Sequence, residues 1–132
     1  MRAIAVLIFA LLSSSAFAKQ VYHCDTDSPL VPWVTFTFND DGTFAEGKYS
    51  YIDGLSVPRD EHAPATEVGL TATSLKVTGG IIAVNFDQWQ GHDGYSWVLK
   101  LENGTAVLNE METQECRGTW DYDYKATCSV TH

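Results

Sequence analysis

Apolar and polar residues alternate with a period of two along most of this chain, and no long 3.6-residue apolar period appears after Ala18. A period of two turns successive side chains to opposite faces of a pleated strand, so the pattern predicts β-structure throughout. The closing segment is the clearest case. Trp120, Tyr122, Tyr124, Ala126, Cys128 and Val130 form one face, and Asp121, Asp123, Lys125, Thr127 and Ser129 form the other. Three two-residue turns test the reading, because a hairpin register must set apolar residues opposite one another. Around Asn103-Gly104, Leu101 faces Ala106 and Leu99 faces Leu108; around Gly79-Gly80, Val77 faces Ile82 and Leu75 faces Val84. Around Asp41-Gly42, Phe38 faces Ala45 and Val34 faces Tyr49, while Thr35 meets Lys48 and Thr37 meets Glu46 on the polar side.

An opening strand over Gln20–Cys24 and a closing strand over Thr119–Val130 bring the number to about eight. Eight antiparallel strands joined in sequence close most simply into a small up-and-down barrel of calycin-like type, which removes exposed edges. A two-sheet β-sandwich is the alternative. In either case successive connections alternate between two ends. The three tight turns gather at one end, and the longer connections Asp25–Pro32, Ile52–Thr66, Asp87–Gly94 and Glu112–Gly118 gather at the other. Long loops on a rigid scaffold commonly carry function, so the second rim is the expected site.

The first 18 residues break the strand pattern. Met1-Arg2 is a positive start, Ala3–Leu12 an apolar run too short to span a bilayer, and Ala16-Phe17-Ala18 a small-x-small cleavage pattern. This predicts a signal peptide over 1–18 and a single domain over 19–132, secreted or periplasmic and without a membrane anchor. The chain of 132 residues has a net charge of −9, which disfavours nucleic acid and anionic membrane surfaces and suits solubility or a basic partner. Outside the cytosol, cysteines tend to pair, and three allow one bridge with one thiol left over. Cys116 and Cys128 lie about 30 Å apart if the last strand is straight. Bridged Cα atoms lie within about 7 Å. Cys24 and Cys116 share the long-loop rim and are the expected pair. A first strand running parallel to the last would bring Cys24 to Cys128 instead.

At that rim the sequence offers flat aromatics beside amides, imidazole and carboxylate. The expected ligand-binding set is Trp33, Trp89, Gln90, His92, Asp93, Trp97 and Trp120, suited to a small polar or aromatic molecule. The proline-bracketed stretch with Arg59, Asp60, Glu61 and His62 is the expected loop for a protein partner. The chain has no zinc spacing such as H-x-H or C-x-x-C, and Asn39-Asp40-Asp41-Gly42 reads as turn chemistry and not a calcium loop. No metal or cofactor is expected. Neither a nucleophile elbow nor a phosphate loop is present, so the reading is a non-enzymatic binding protein. The alternative is an acidic inhibitor or interaction protein directed at a basic extracellular protein such as lysozyme. Asn103-Gly104-Thr105 also fits a glycosylation acceptor.

Tyr22-His23-Cys24 just after the leader, with small size, acidity and a late cysteine, is similar to the start of the small periplasmic barrels that inhibit c-type lysozymes. That family's inhibitory Ser- and Lys-bearing segments are absent, and no residue role is carried over. Gly118-Thr119-Trp120 resembles the G-x-W of lipocalins, placed here on the last strand instead of the first.

Overall fold

A computed structural model describes residues 19–53 and 64–132. Both the leader expected over 1–18 and the partner loop with Arg59, Asp60, Glu61 and His62 lie outside the described residues. Nine strands form one antiparallel sheet: β1 (Gln20–Thr26), β2 (Trp33–Phe38), β3 (Phe44–Ile52), β4 (Ala65–Gly69), β5 (Leu75–Thr78), β6 (Ile81–Gln90), β7 (Asp93–Glu102), β8 (Thr105–Gln114) and β9 (Gly118–Thr131). The only helix among the described residues is one 3-10 turn, Ala72–Ser74. The strand order is β4-β3-β2-β1-β9-β8-β7-β6-β5, so every neighbour is consecutive in sequence except the β1–β9 pair.

The hairpin registers follow from turn geometry. Gly42, Gly79, Gly80, Asn103 and Gly104 all have positive φ, the twist that tight hairpin turns require. Leu75 pairs with Val84, Val77 with Ile82, Leu99 with Leu108 and Leu101 with Ala106. Val34–Tyr49, Thr35–Lys48 and Thr37–Glu46 also pair, but a shift in register between Thr37 and Phe38 brings Phe38 opposite Phe44 and not Ala45. Two connections expected to be long are short. Between β6 and β7 only Gly91-His92 turns, and between β8 and β9 only residues 115–117. A third, Ile52–Thr66, is followed by β4 and β5 where one strand was expected, which raises the strand count from eight to nine.

Because every adjacent pair is antiparallel, β4 and β5 run in the same direction. They are separated only by the 3-10 turn, which touches both β3 and β6. Segment 65–78 thus behaves as one strand broken in the middle, its first part paired with β3 and its second with β6. No ladder joins β4 to β5, and the sheet is not closed by hydrogen bonds. It is nevertheless curled, since the ring of Tyr49 on β3 lies tilted against Phe86 on β6 at 4.3 Å and Tyr51 meets Trp97 on β7 edge-on at 5.7 Å. The core on the concave face holds Cys24, Val34, Phe36, Tyr49, Val84, Trp97, Leu99 and Leu108. Burial of each such side chain stabilises the fold by roughly 1.5–3 kcal/mol.

The disulfide joins Cys24 to Cys128, with Cα atoms 4.0 Å apart, and corrects the expected Cys24–Cys116 bridge. The expectation took the strands to end level at the rim. Instead β1 pairs only with the far half of β9, Thr26 opposite Ala126, while Gly118 opens β9 eight residues earlier. Eight residues of strand span roughly 27 Å, which carries Cys116 away from Cys24. The first and last strands are antiparallel, so no parallel arrangement is needed to bring Cys128 opposite Cys24. Cys116 is an exposed free thiol in the β8–β9 turn. A disulfide of this kind forms and persists in oxidising compartments.

Candidate functional site

The registers align concave side chains in rows across the sheet. One row reads Trp120, Glu112, Tyr95, Gln88; the next Tyr122, Glu110, Trp97, Phe86; a third Tyr124, Leu108, Leu99, Val84; a fourth Ala126, Ala106, Leu101, Ile82. The first two rows lie toward the long-loop end and carry two buried carboxylates. Glu110 is 2% exposed and Glu112 8%. Glu110 Oε1 accepts from Trp97 Nε1–H at 2.8 Å and from Ser28 Oγ–H at 2.9 Å, and its Oε2 from Tyr124 O–H at 3.4 Å. Glu112 Oε1 accepts from Tyr95 O–H at 3.1 Å and from the Gln114 amide at 3.0 Å. A buried carboxylate is tolerated only where donors satisfy it, and these donors come from three strands and the β1–β2 connection. Ser28 Oγ in turn accepts from the backbone N–H groups of Leu30 and Val31, fixing that connection against the concave face. The cluster is therefore a polar clasp for the core.

The expected ligand set divides between two faces. Trp97 is 1% exposed, stacked between Tyr95 and Phe86, and is part of the core. Trp120, Gln90 and Asp93 share its side of the sheet by register, with Asp93 Oδ1 accepting the Glu115 backbone N–H at 2.7 Å. His92 occupies the exposed β6–β7 turn. Trp33 lies on the convex face, stacked 6.0 Å from His23 with the Lys48 ammonium 6.0 Å over its ring. Trp89 is also convex; its indole N–H donates to Asp87, and its ring covers Gly94, where a Cβ would sit 2.3 Å from Trp89 Cε3. Trp33 and Trp89 thus do not converge with the others.

A cavity of about 850 Å³ lies at the opposite, tight-turn end. The fourth row, with Tyr22, Tyr124, Cys128 and Val130, supplies its apolar wall; Glu102, Asn103 and Thr105 at the β7–β8 turn and Asp123, Lys125 and Thr127 along β9 supply polar groups. It forms because β9 runs on past the start of β8, leaving Thr127–Thr131 paired only with β1. Small Ala106 and Ala126 then stand where larger side chains would fill the mouth. The cavity went unseen in the sequence, as did Glu110. For Glu110 the signal was present: extending the Leu99–Leu108 register by two residues sets it opposite the inward Trp97.

Among the described residues no group of three or more His, Cys, Asp and Glu is placed to hold a metal ion. Two ionisable groups elsewhere have displaced pKa values. The Thr43 hydroxyl and backbone N–H hold the exposed Asp41 carboxyl below its usual value, and burial pushes the Tyr49 phenol up. The chain matches no protein-family model, no curated protein and no solved structure.

Proposed function

We propose that the protein is a secreted or periplasmic, non-enzymatic binding protein that takes a small molecule with an apolar or aromatic body in the tight-turn cavity. The observation that carries this reading is the cavity itself. Its volume of about 850 Å³ lies within the roughly 300–1,000 Å³ typical of small-molecule sites. An aliphatic and aromatic wall with a few polar groups at one side favours a ligand that buries its apolar body and turns a polar end to the Asn103–Thr105 turn. The proposed seat moves from the long-loop rim because two of the rim tryptophans stand on the outer face and a third is spent on the core. The Cys24–Cys128 disulfide supports the oxidising location. The same-direction run of β4 and β5 supports reading the curled sheet as an eight-stranded barrel with one split strand.

The test uses N-phenyl-1-naphthylamine, a neutral aromatic fluorophore that brightens in apolar surroundings. The mature protein should bind it saturably, one to one. Ile82→Trp, which extends a ring into the cavity, should abolish the signal, and Trp33→Ala on the convex face should leave it unchanged. Absence of saturable binding, or binding that Ile82→Trp does not affect, would overturn the proposal.

A further inference from the structure

Among the described residues, the first half of β9 has no strand paired on its β1 side. β1 pairs with β9 only from Ala126 to Thr131, and among the described residues the single backbone bond beyond that point is from Asp27 N–H to the Lys125 carbonyl, 3.0 Å. The chain then turns inward, burying Leu30 and Val31, and does not continue along β9. As a result Gly118–Asp123 are all exposed although β8 pairs with each of them. An unpaired edge presents a row of backbone N–H and C=O groups, which makes it a template for another strand. From Gly118 to Tyr124 it offers about 24 Å, room for an extended segment of about seven residues.

The side chains on this edge specify what would fit. Trp120 and Tyr122 point to the concave side but remain 39% and 40% exposed, with no described strand beside them where β1 would have been. Asp121 and Asp123 point to the convex side, both accepting from the Asn109 amide, and neither is ion-paired among the described residues. A strand laid along this edge would set alternate residues beside the two aromatics and beside the two carboxylates. Alternating apolar and basic residues match that pattern on both faces. A second copy of this chain does not. In a symmetric antiparallel pair centred on Tyr122, each Asp121 would face the other copy's Asp123, and like charges directly opposite are unfavourable.

We infer that the Gly118–Tyr124 edge of β9 accepts an extended segment of a basic partner protein by strand addition, with apolar residues covering Trp120 and Tyr122 and Lys or Arg facing Asp121 and Asp123. Main-chain hydrogen bonds would give the affinity and the alternating side chains the selectivity. This edge adjoins the tight-turn cavity, whose lining includes Asp123 and Tyr124, and its test reads peptide binding with no cavity ligand added.

The probe is a capped seven-residue peptide, Val-Lys-Val-Lys-Val-Lys-Val, which sets Val opposite Trp120 and Tyr122 and Lys opposite Asp121 and Asp123, with Val-Glu-Val-Glu-Val-Glu-Val as control, added to the mature protein. Amide exchange followed by NMR should slow at alternate residues between Gly118 and Tyr124, and Trp120 emission should shift to the blue. The affinity should fall about tenfold or more as salt is raised to 0.5 M, because the carboxylates are exposed and screened. The acidic peptide should not bind. Asp121→Lys with Asp123→Lys should cost at least tenfold in affinity, and Asp121→Asn alone a smaller factor, each with a melting curve close to wild type. Protection elsewhere on the sheet, or equal affinity in the doubly substituted variant, would overturn the inference. So would self-association of the unliganded protein through this edge, which would make the second copy the occupant.

Discussion

Cutting the Cys24–Cys128 bridge should be among the costliest small perturbations of this fold. The two cysteines are 104 residues apart, so the bridge closes most of the chain into one loop in the unfolded state. Loop-closure entropy for about 100 residues corresponds to roughly 4.7 kcal/mol at 25 °C. A domain of this size has a total stability of about 5–15 kcal/mol, so the loss removes a third or more of it. The same pair ties β1 to β9, the one sheet contact between strands distant in sequence. The assay is urea unfolding of Cys24→Ala/Cys128→Ala against wild type, followed by the fluorescence of the buried Trp97. The midpoint should fall sharply and the m-value should rise, because the freed unfolded chain expands and exposes more surface. Alkylation of the unfolded, unreduced wild type should label Cys116 alone. A stability loss below about 1 kcal/mol with an unchanged m-value would refute the loop-entropy reasoning, and label on Cys128 would refute the pairing.

Other consequences can be checked by similar means. Glu110→Ala leaves the Trp97 indole N–H and the Ser28 hydroxyl without their acceptor and should cost about 2–5 kcal/mol in chemical denaturation, whereas Glu110→Gln, which keeps one acceptor oxygen, should cost about half as much. Gly94→Ala must displace the Trp89 ring and should cost about 1–3 kcal/mol while shifting Trp89 emission to the red. Tyr49 has a folded pKa raised above its unfolded value near 10, so its contribution is complete below that pH and is lost as pH rises through the folded pKa. Melting temperature measured from pH 8 to 12 should therefore fall on the alkaline side, and Tyr49→Phe should flatten that limb. Asp41 has the opposite sign: its depressed pKa adds stability above pH 3.8 that is lost on acidification, and Asp41→Asn should shallow the acid limb.

What could be read in the sequence was what local geometry dictates. A two-residue turn fixes its own register, so the apolar pairs around Gly79-Gly80 and Asn103-Gly104 followed from the turn alone. No turn sets the pairing of β1 with β9, which are separated by nearly the whole chain. Its stagger was invisible, and with it the partner of Cys24. The face of each tryptophan follows from strand phase. Trp97 falls in phase with Leu99 and could have been assigned to the core, while Trp33 and Trp89 fall out of phase with Val34 and Phe86. β4 was hidden because Ala65–Gly69 carries little apolar surface and pairs on one side only. The cavity depends on how far β9 overruns β8 and on the sizes of side chains from five strands, which no local pattern encodes.

The most direct test of the ligand-binding reading is an amide NMR titration of residues 19–132 with N-phenyl-1-naphthylamine. Saturating shift changes should centre on Ile82, Leu101, Ala106 and Ala126, with Trp33, Trp89 and His92 unmoved. Changes centred on Trp120, Gln90 and Asp93 would return the site to the long-loop rim, and no saturating change anywhere would contradict the account.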